Sequence, residues 1–283
     1  MNLGIQNSHG KKILLLNSDA HASNTVLAEM ITYMDAHPRA GVVGPRHVDH
    51  EGGFQLSCGS FPTFFTEIVR KLVYYRLSIQ DYRLRDHLDG KHSASGAVDW
   101  VSGSCLLIRR EVLAQTGLLD ERFFMYFEDV DLCTRARLKG WEVHYFADKS
   151  VSHIGGASVK SNLLFALIEN RRSQLYFSHK YYGITGETVI RLILIVKYGF
   201  NLLKWGVLFL IYRPVGRRGR DLTDPYVMAL LAKKVIVTAL GPNNISPLEP
   251  ALHDAGRVVD MGPEESAVLP SSPRLASRSD VLE

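Results

Sequence analysis

An open α/β sheet with helices appended behind it is the fold class this sequence predicts, and three observations predict it. Short apolar runs alternate with amphipathic stretches from residue 1 to about residue 182. The first run, Lys12-Ile13-Leu14-Leu15-Leu16, has no polar alternation, as in strands covered on both faces. Residues 183–240 then turn apolar and basic, the pattern of amphipathic helices. The remaining residues, 241–283, are rich in Pro, Ser, Gly and charge and read as a disordered tail.

Each element has a local reason. The strand over 12–16 ends at Asn17-Ser18-Asp19, and a helix follows from about Thr25 to Ala36, where Val26, Met30 and Met34 recur at four-residue spacing. His37-Pro38 stops it. Ala40 to Gly44 is a short strand closed by Pro45. Residues 50–97 read as an irregular excursion with a basic helical piece from Ile68 to Leu77. Val98 to Arg109 is a strand interrupted by Ser102-Gly103-Ser104, followed by a short helix, Arg110 to Gln115, ending at Gly117. A second helix runs from about Glu128 to Lys139 and stops at Gly140. Glu142 to Ala147 is the last strand.

Composition bounds the function. With 46% hydrophobic and 22% charged residues in 283, the chain is not wholly disordered, collagenous or coiled-coil. A net charge of +4 is too small to argue for a nucleic-acid partner. Cys58, Cys105 and Cys133 are odd in number and lack zinc-type spacing, which fits a reducing compartment. The opening MNLGIQNSHGKK has no apolar run of the signal-peptide kind.

Four clusters carry chemistry, each with a plainer structural reading beside it. Asn17-Ser18-Asp19 sits at the carboxyl end of a strand, where open α/β sheets bind ligands. A carboxylate there can hold a hard divalent cation, but the same residues also make a good helix cap. In Phe123-Phe124-Met125-Tyr126-Phe127-Glu128-Asp129-Val130-Asp131, three acids enter a helix behind a run of aromatics. The helix dipole explains the acids, and a pocket wall explains the aromatics. His153 before Gly155-Gly156 reads either as a metal or phosphate contact or as an ordinary hydrogen-bonding loop histidine. Trp100-Val101-Ser102-Gly103-Ser104 places small residues in a strand, marking either a ligand's close approach or a bulge.

Taken in order, ILLLNSDA and DWVSGSCLLIRREVLAQTGLLDERFFMYFEDVDLCTRARLKGWEVHYFADKSVSHIGG resemble the family 2 glycosyltransferases, in particular their rhamnosyl- and galactofuranosyl-transferase-like branch. The resemblance covers about residues 2–182. It implies a GT-A fold, a nucleotide-diphosphate sugar donor, inversion at the anomeric carbon and dependence on Mg2+ or Mn2+. Asn17, Ser18 and Asp19 fall on the family's metal and diphosphate motif, with Ser18 where that branch often has Pro. Asp19 is then the metal ligand, and His153 completes the metal and diphosphate site. Asp129 falls on the catalytic base. Trp100, Ser102 and Gly103 fall on the strand lining the donor and acceptor. Met1 to Ile5 corresponds to the segment one helix before the metal motif. The resemblance therefore implies a domain lacking its N-terminal part, with weak or no transferase activity.

The domains expected are a partial GT-A domain over 1–182, membrane-associated or packing helices over 183–240 and a tail over 241–283. Residues 189–212 are long enough to cross a bilayer, but Arg191, Lys197, Asn201 and Lys204 interrupt them. Lys197, Asn201 and Lys204 form one polar stripe, the pattern of a helix lying in the interface. Arg213, Arg217, Arg218 and Arg220 follow, suited to anionic headgroups. A hairpin packed on the sheet domain is the structural alternative.

The expected function is transfer of a rhamnose- or galactofuranose-like sugar to a lipid-linked or polysaccharide acceptor in cell-envelope glycan synthesis. The expected location is the cytoplasmic face of the cell membrane, at the inner membrane surface, peripheral or with one span. A non-catalytic remnant that binds a partner or membrane is the alternative, and a metal-dependent phosphotransferase or nucleotidyltransferase is a third reading.

Overall fold

A computed structural model describes residues 1–61, 81–154, 163–211 and 225–241. Helix α1 (Asn2–Asn7) leads into strand β1 (Lys12–Leu16), the short β2 (Ala20–His21) and helix α2 (Asn24–Ala36). Ser23 caps α2 by accepting from the Val26 N–H. Strand β3 (Ala40–Val48), the two-residue β4 (Phe54–Gln55) and β5 (Cys58–Gly59), and helix α3 (Tyr82–Lys91) follow. Then come β6 (Gly96–Val98), β7 (Trp100–Val101), β8 (Cys105–Arg109), α4 (Arg110–Thr116), α5 (Glu128–Leu138) and β9 (Glu142–His153). Two helices close the described chain, α6 (Leu163–Ile211) and α7 (Pro225–Leu240).

Among the described residues the main sheet runs β1-β8-β3-β9-β2, with β4 on β3 and β6 on β9. Strands β3 and β9 are parallel, whereas β8 is antiparallel to both of its neighbours, β1 and β3. The sheet is therefore mixed, as expected for its class but not all-parallel. Alternation along the strands sorts side chains onto two faces. Ile13, Leu15, Val42, Leu106 and Ile108 join one cluster with α4, α5 and Tyr176 and Phe177 of α6. Leu14, Val43, Cys105 and Leu107 join the other with Val26, Met30 and Met34 of α2. Strand β1 is thus covered on both faces over most of its length, but its last residue, Leu16, is 43% exposed.

Two strand ends and the excursion between them differ from the sequence reading. β3 continues through Pro45 to Val48, because the β3–β9 register shifts between Pro45 and Arg46. Such an irregularity lets a strand tolerate a residue that cannot donate. β9 extends past Ala147 to His153. Among the described residues, the excursion over 50–97 holds β4, β5, the start of β6 and α3, in whose run YRLRDHLDGK Leu88 is buried. So polar a helix has no apolar stripe to read; Asp81 caps it and Arg46 pairs with its Asp89 at 2.6 Å. The piece from Ile68 to Leu77, Gly155-Gly156, the arginines from 213 to 220 and the tail beyond residue 241 lie outside the described residues.

Helix α6 is broken at Gly183, where φ is 64° and ψ is −163°, a conformation open almost only to glycine. The break falls at the boundary read between residues 182 and 183. Before it, α6 packs on the sheet; after it, Ile190, Leu194 and Tyr198 pack on Ala232, Val235 and Ala239 of α7.

Candidate active site

The carboxyl ends of β1 and β9 lie at the same end of the sheet as the amino end of β8. Backbone hydrogen bonds hold the connecting loops together there. The Asn17 N–H donates to the Ser104 carbonyl at 2.9 Å, and the Ile154 N–H donates to the Asp19 carbonyl at 3.0 Å. Pairing of Ala20 with His153 completes the arrangement. His153 Nε2 consequently lies 3.6 Å from Asp19 Oδ1.

Gln55 fixes the other side of that imidazole. Its Oε1 lies 3.3 Å from His153 Nδ1, and its amide donates to the His153 carbonyl at 3.0 Å. With the proton on Nδ1, Nε2 turns its lone pair toward Asp19. Beneath lies His47, buried, with its ring centroid 5.5 Å from that of His153. Burial, reinforced by His153, pushes the His47 imidazole down to about 3, so it is neutral at physiological pH. Ser104 Oγ lies within hydrogen-bond distance of His47, and also of Ser102 Oγ at 2.9 Å.

The adjoining residue carries the strip to the second pair of acids. The Gly103 N–H donates to Asp129 Oδ2 at 2.8 Å, and the Val130 N–H donates to Asp129 Oδ1 at 2.8 Å. Two backbone donors thus hold the Asp129 carboxylate in one orientation. A Cβ at position 103 would lie 3.1 Å from Asp129 Cβ, which is why the loop is smallest where it meets the acid. Thus Asp19, His153, Ser102, Gly103 and Asp129 come together along one end of the sheet. Asn17 contributes its backbone, and Ser18 is exposed beside it. Trp100 lies apart from that strip: it is 6% exposed, sits in the core, and its indole N–H is taken by the Ser60 carbonyl at 2.9 Å.

The entrance of α5 is strained. Tyr126 and Phe127 both adopt left-handed backbone, with φ of 66° and 69°. Such conformations cost of order 1–3 kcal/mol each and persist where packing over-determines them. Here Phe127 is buried with its ring centroid 5.5 Å from that of Phe177, and the Ser173 hydroxyl donates to the Met125 carbonyl. The result presents Glu128 and Asp129 at the first turn. Glu128 faces a cavity of about 220 Å3, also lined by Leu119, Asp120, Phe123 and Phe124. Its Oε2 is buried and has no hydrogen-bond partner among the described residues. Burial, then the Asp129 charge beside it, pushes its carboxyl up to about 8. Glu128 therefore holds its proton at neutral pH.

Sequence reading had not singled out His47, Gln55 or Glu128 as site residues. The acid before Asp129 was visible, but an unpartnered oxygen is a property of packing. His47 and Gln55 lie on segments whose strand pairing the sequence did not signal.

Residues 1–176 match the family model "Glycosyltransferase like family 2". The chain belongs to that family. Relatives within it include the N-acetylglucosaminyl-diphospho-decaprenol L-rhamnosyltransferase of Mycobacterium tuberculosis, 29% identical over 141 residues, covering 50% of this chain and 46% of that protein. The low-salt glycan biosynthesis hexosyltransferase Agl10 of Haloferax volcanii is 29% identical over 140 residues, covering 48% of this chain and 41% of its own. The dTDP-rhamnosyl transferase RfbF of Shigella flexneri is 28% identical over 167 residues, covering 56% and 49%. This chain thus spans about half the length of the curated relatives it matches. A solved mannosyltransferase from Pyrobaculum calidifontis, in complex with GDP-Man and Mn2+, aligns at 13% identity with a TM-score of 0.36, covering 84% of this chain and 64% of its own. That likeness is too slight to carry argument.

Proposed function

We propose that this family 2 chain carries an inverting sugar-transfer site at the Asp19–His153–Asp129 strip. In this reading a sugar moves from a nucleotide diphosphate to a hydroxyl of a lipid-linked or polysaccharide acceptor. The rhamnosyltransferase relatives favour a rhamnose-like donor and a place in cell-envelope glycan synthesis; a galactofuranose-like donor is the alternative sugar.

One observation carries the reading: a continuous series of contacts runs from the Asp19–His153 pair through His47 and Ser104 to Gly103 and Asp129. One carboxylate and one imidazole, the latter oriented by Gln55, suit Mg2+ or Mn2+, which complete their shells with water and substrate phosphate. Asp19 and His153 would hold the cation. When bound, it supplies charge neutralisation for a departing diphosphate.

The chain's own groups supply the rest. The acceptor oxygen forms a bond to the anomeric carbon as the bond from that carbon to the diphosphate breaks, with the electron pair leaving on the diphosphate. Asp129 accepts the hydroxyl proton. Gly103 and Val130 keep its oxygens in place as it does so. Glu128, holding its own proton, leaves the pair with one negative charge rather than two.

Turnover tests this directly. The chain with Mn2+, a dTDP-rhamnose donor and a polyprenyl-diphospho-sugar acceptor should release nucleoside diphosphate. Asp129→Asn should lower that release by at least about a hundredfold while the donor still binds. Donor binding without any release from the wild-type chain would return the non-catalytic reading.

A further inference from the structure

The half of α6 beyond Gly183 presents apolar surface to the outside. Val189, Leu192, Val196, Phe200, Leu203 and Val207 follow one another at three- and four-residue intervals, which puts them on one helical face. All six are exposed, Phe200 at 70% and Leu203 at 66%. The opposite face is the one buried on α7 through Ile190, Leu194 and Tyr198. A row of about 18 residues extends roughly 27 Å at 1.5 Å per residue. Single exposed apolar residues are ordinary on a protein surface, whereas a contiguous row marks an interaction surface.

Charge identifies the partner. Lys197 and Lys204 are exposed and stand about 80–100° around the helix from the middle of the row. Their ammonium groups lie 5.4 Å and 5.1 Å from the rings of Tyr198 and Trp205. From Thr188 to Ile211 there is no Asp or Glu, and Arg213, Arg217, Arg218 and Arg220 follow in sequence. Arg191 pairs with Glu187 at 2.6 Å. Two copies pairing through the row would bring lysines together with no acid in the segment to offset them. An anionic surface with an apolar interior matches both features. Among the described residues no helix is long and apolar enough to cross a membrane.

We propose that this half-helix lies in the interface of an anionic lipid bilayer, its row of six side chains in the acyl boundary and Lys197 and Lys204 at the phosphate level. This attachment requires nothing of the sugar-transfer reading. It places the chain at a membrane surface by its own structure.

Co-sedimentation of the full chain with vesicles tests it. The chain should pellet with mixed phosphatidylcholine–phosphatidylglycerol vesicles more than with pure phosphatidylcholine, and added salt should reduce the difference. The triple substitution Leu192→Gln, Phe200→Gln, Leu203→Gln should lower partitioning at least about tenfold with the circular dichroism spectrum unchanged. Lys197→Gln with Lys204→Gln should weaken binding to the anionic vesicles only. Equal sedimentation of wild type and triple variant overturns the proposal. So does failure of the wild type to bind, combined with light scattering that shows a dimer split by the triple variant, which assigns the row to a second copy. Because no donor or acceptor enters the assay, this outcome and that of the turnover test are separate.

Discussion

The two halves of helix α6 treat charge and apolar surface in opposite ways. Before Gly183, Lys180 sits between Asp120 and the fully buried Asp131, at 2.8 Å and 2.6 Å. Asp131 also accepts from Tyr181 at 2.7 Å and Arg135 at 2.8 Å, and Tyr176 donates to Asp120 at 2.9 Å. Apolar side chains there face inward onto the sheet. After Gly183, one face is buried on α7 while a row of apolar side chains faces outward, and the lysines have no acid near them in sequence. The near half is thus part of the unit that positions Glu128 and Asp129, since it grips α5 through Asp131. The far half is held by α7, by Leu175 and Arg171 of the near half, which meet Leu194 and Tyr198, and by Glu187, which reaches back across the break to His179 at 2.7 Å.

Breaking the grip should have the largest effect. Asp131→Ala leaves Lys180 and Arg135 without their shared carboxylate in the interior, a loss of about 3–5 kcal/mol. Urea unfolding should show this, and a cost below about 1 kcal/mol would mean that the near half is held by packing alone. Next comes the break itself. Gly183→Ala forces a Cβ into a conformation reserved for glycine and should cost about 1–3 kcal/mol in thermal melts, with no change if the two halves can straighten freely.

Glu128 sharpens the comparison by pH. Its folded carboxyl titrates above its unfolded value, so the folded state binds the extra proton between those values. Its contribution is therefore full at acid pH and is lost as pH rises toward about 8. Glu128→Gln should remove that decline, up to about 4 kcal/mol between pH 5 and 8. Parallel pH profiles for wild type and variant would show that the group is not buried as described. The smallest effect belongs to the far half. Leu192→Gln should change stability by less than about 0.5 kcal/mol in the same urea assay, because the side chain is already in water. A cost above about 2 kcal/mol would show that the row is covered within the molecule.

Periodicity and punctuation made much of the fold legible. The strand over Lys12–Leu16, the helix ending at Ala36, and the helix from Glu128 that stops before Gly140 appear as read, because an apolar stripe or a glycine stop marks each. Strand β3 was cut short at Pro45 because proline argues against a strand interior, and the register shift that accommodates it depends on β9, a hundred residues away. The candidate residues Asp19, Gly103, Asp129 and His153 stand out in the sequence at the ends of elements and in the turns between them. Their joining does not, since it depends on pairings such as Ala20 with His153 and Asn17 with Ser104. Trp100, placed on the donor- and acceptor-lining strand by resemblance alone, is buried, and its indole N–H donates to the Ser60 carbonyl, a partner that strand pairing of β5 with β7 brings near.

Titration calorimetry of a nucleoside diphosphate, with and without Mn2+, on the wild-type chain and on Asp19→Ala tests the central claim most directly. The expected result is Mn2+-dependent binding by the wild type that Asp19→Ala loses and Asp129→Asn keeps. Undiminished Mn2+-dependent binding by Asp19→Ala would contradict the assignment of the Asp19–His153 end as the place where cation and diphosphate meet.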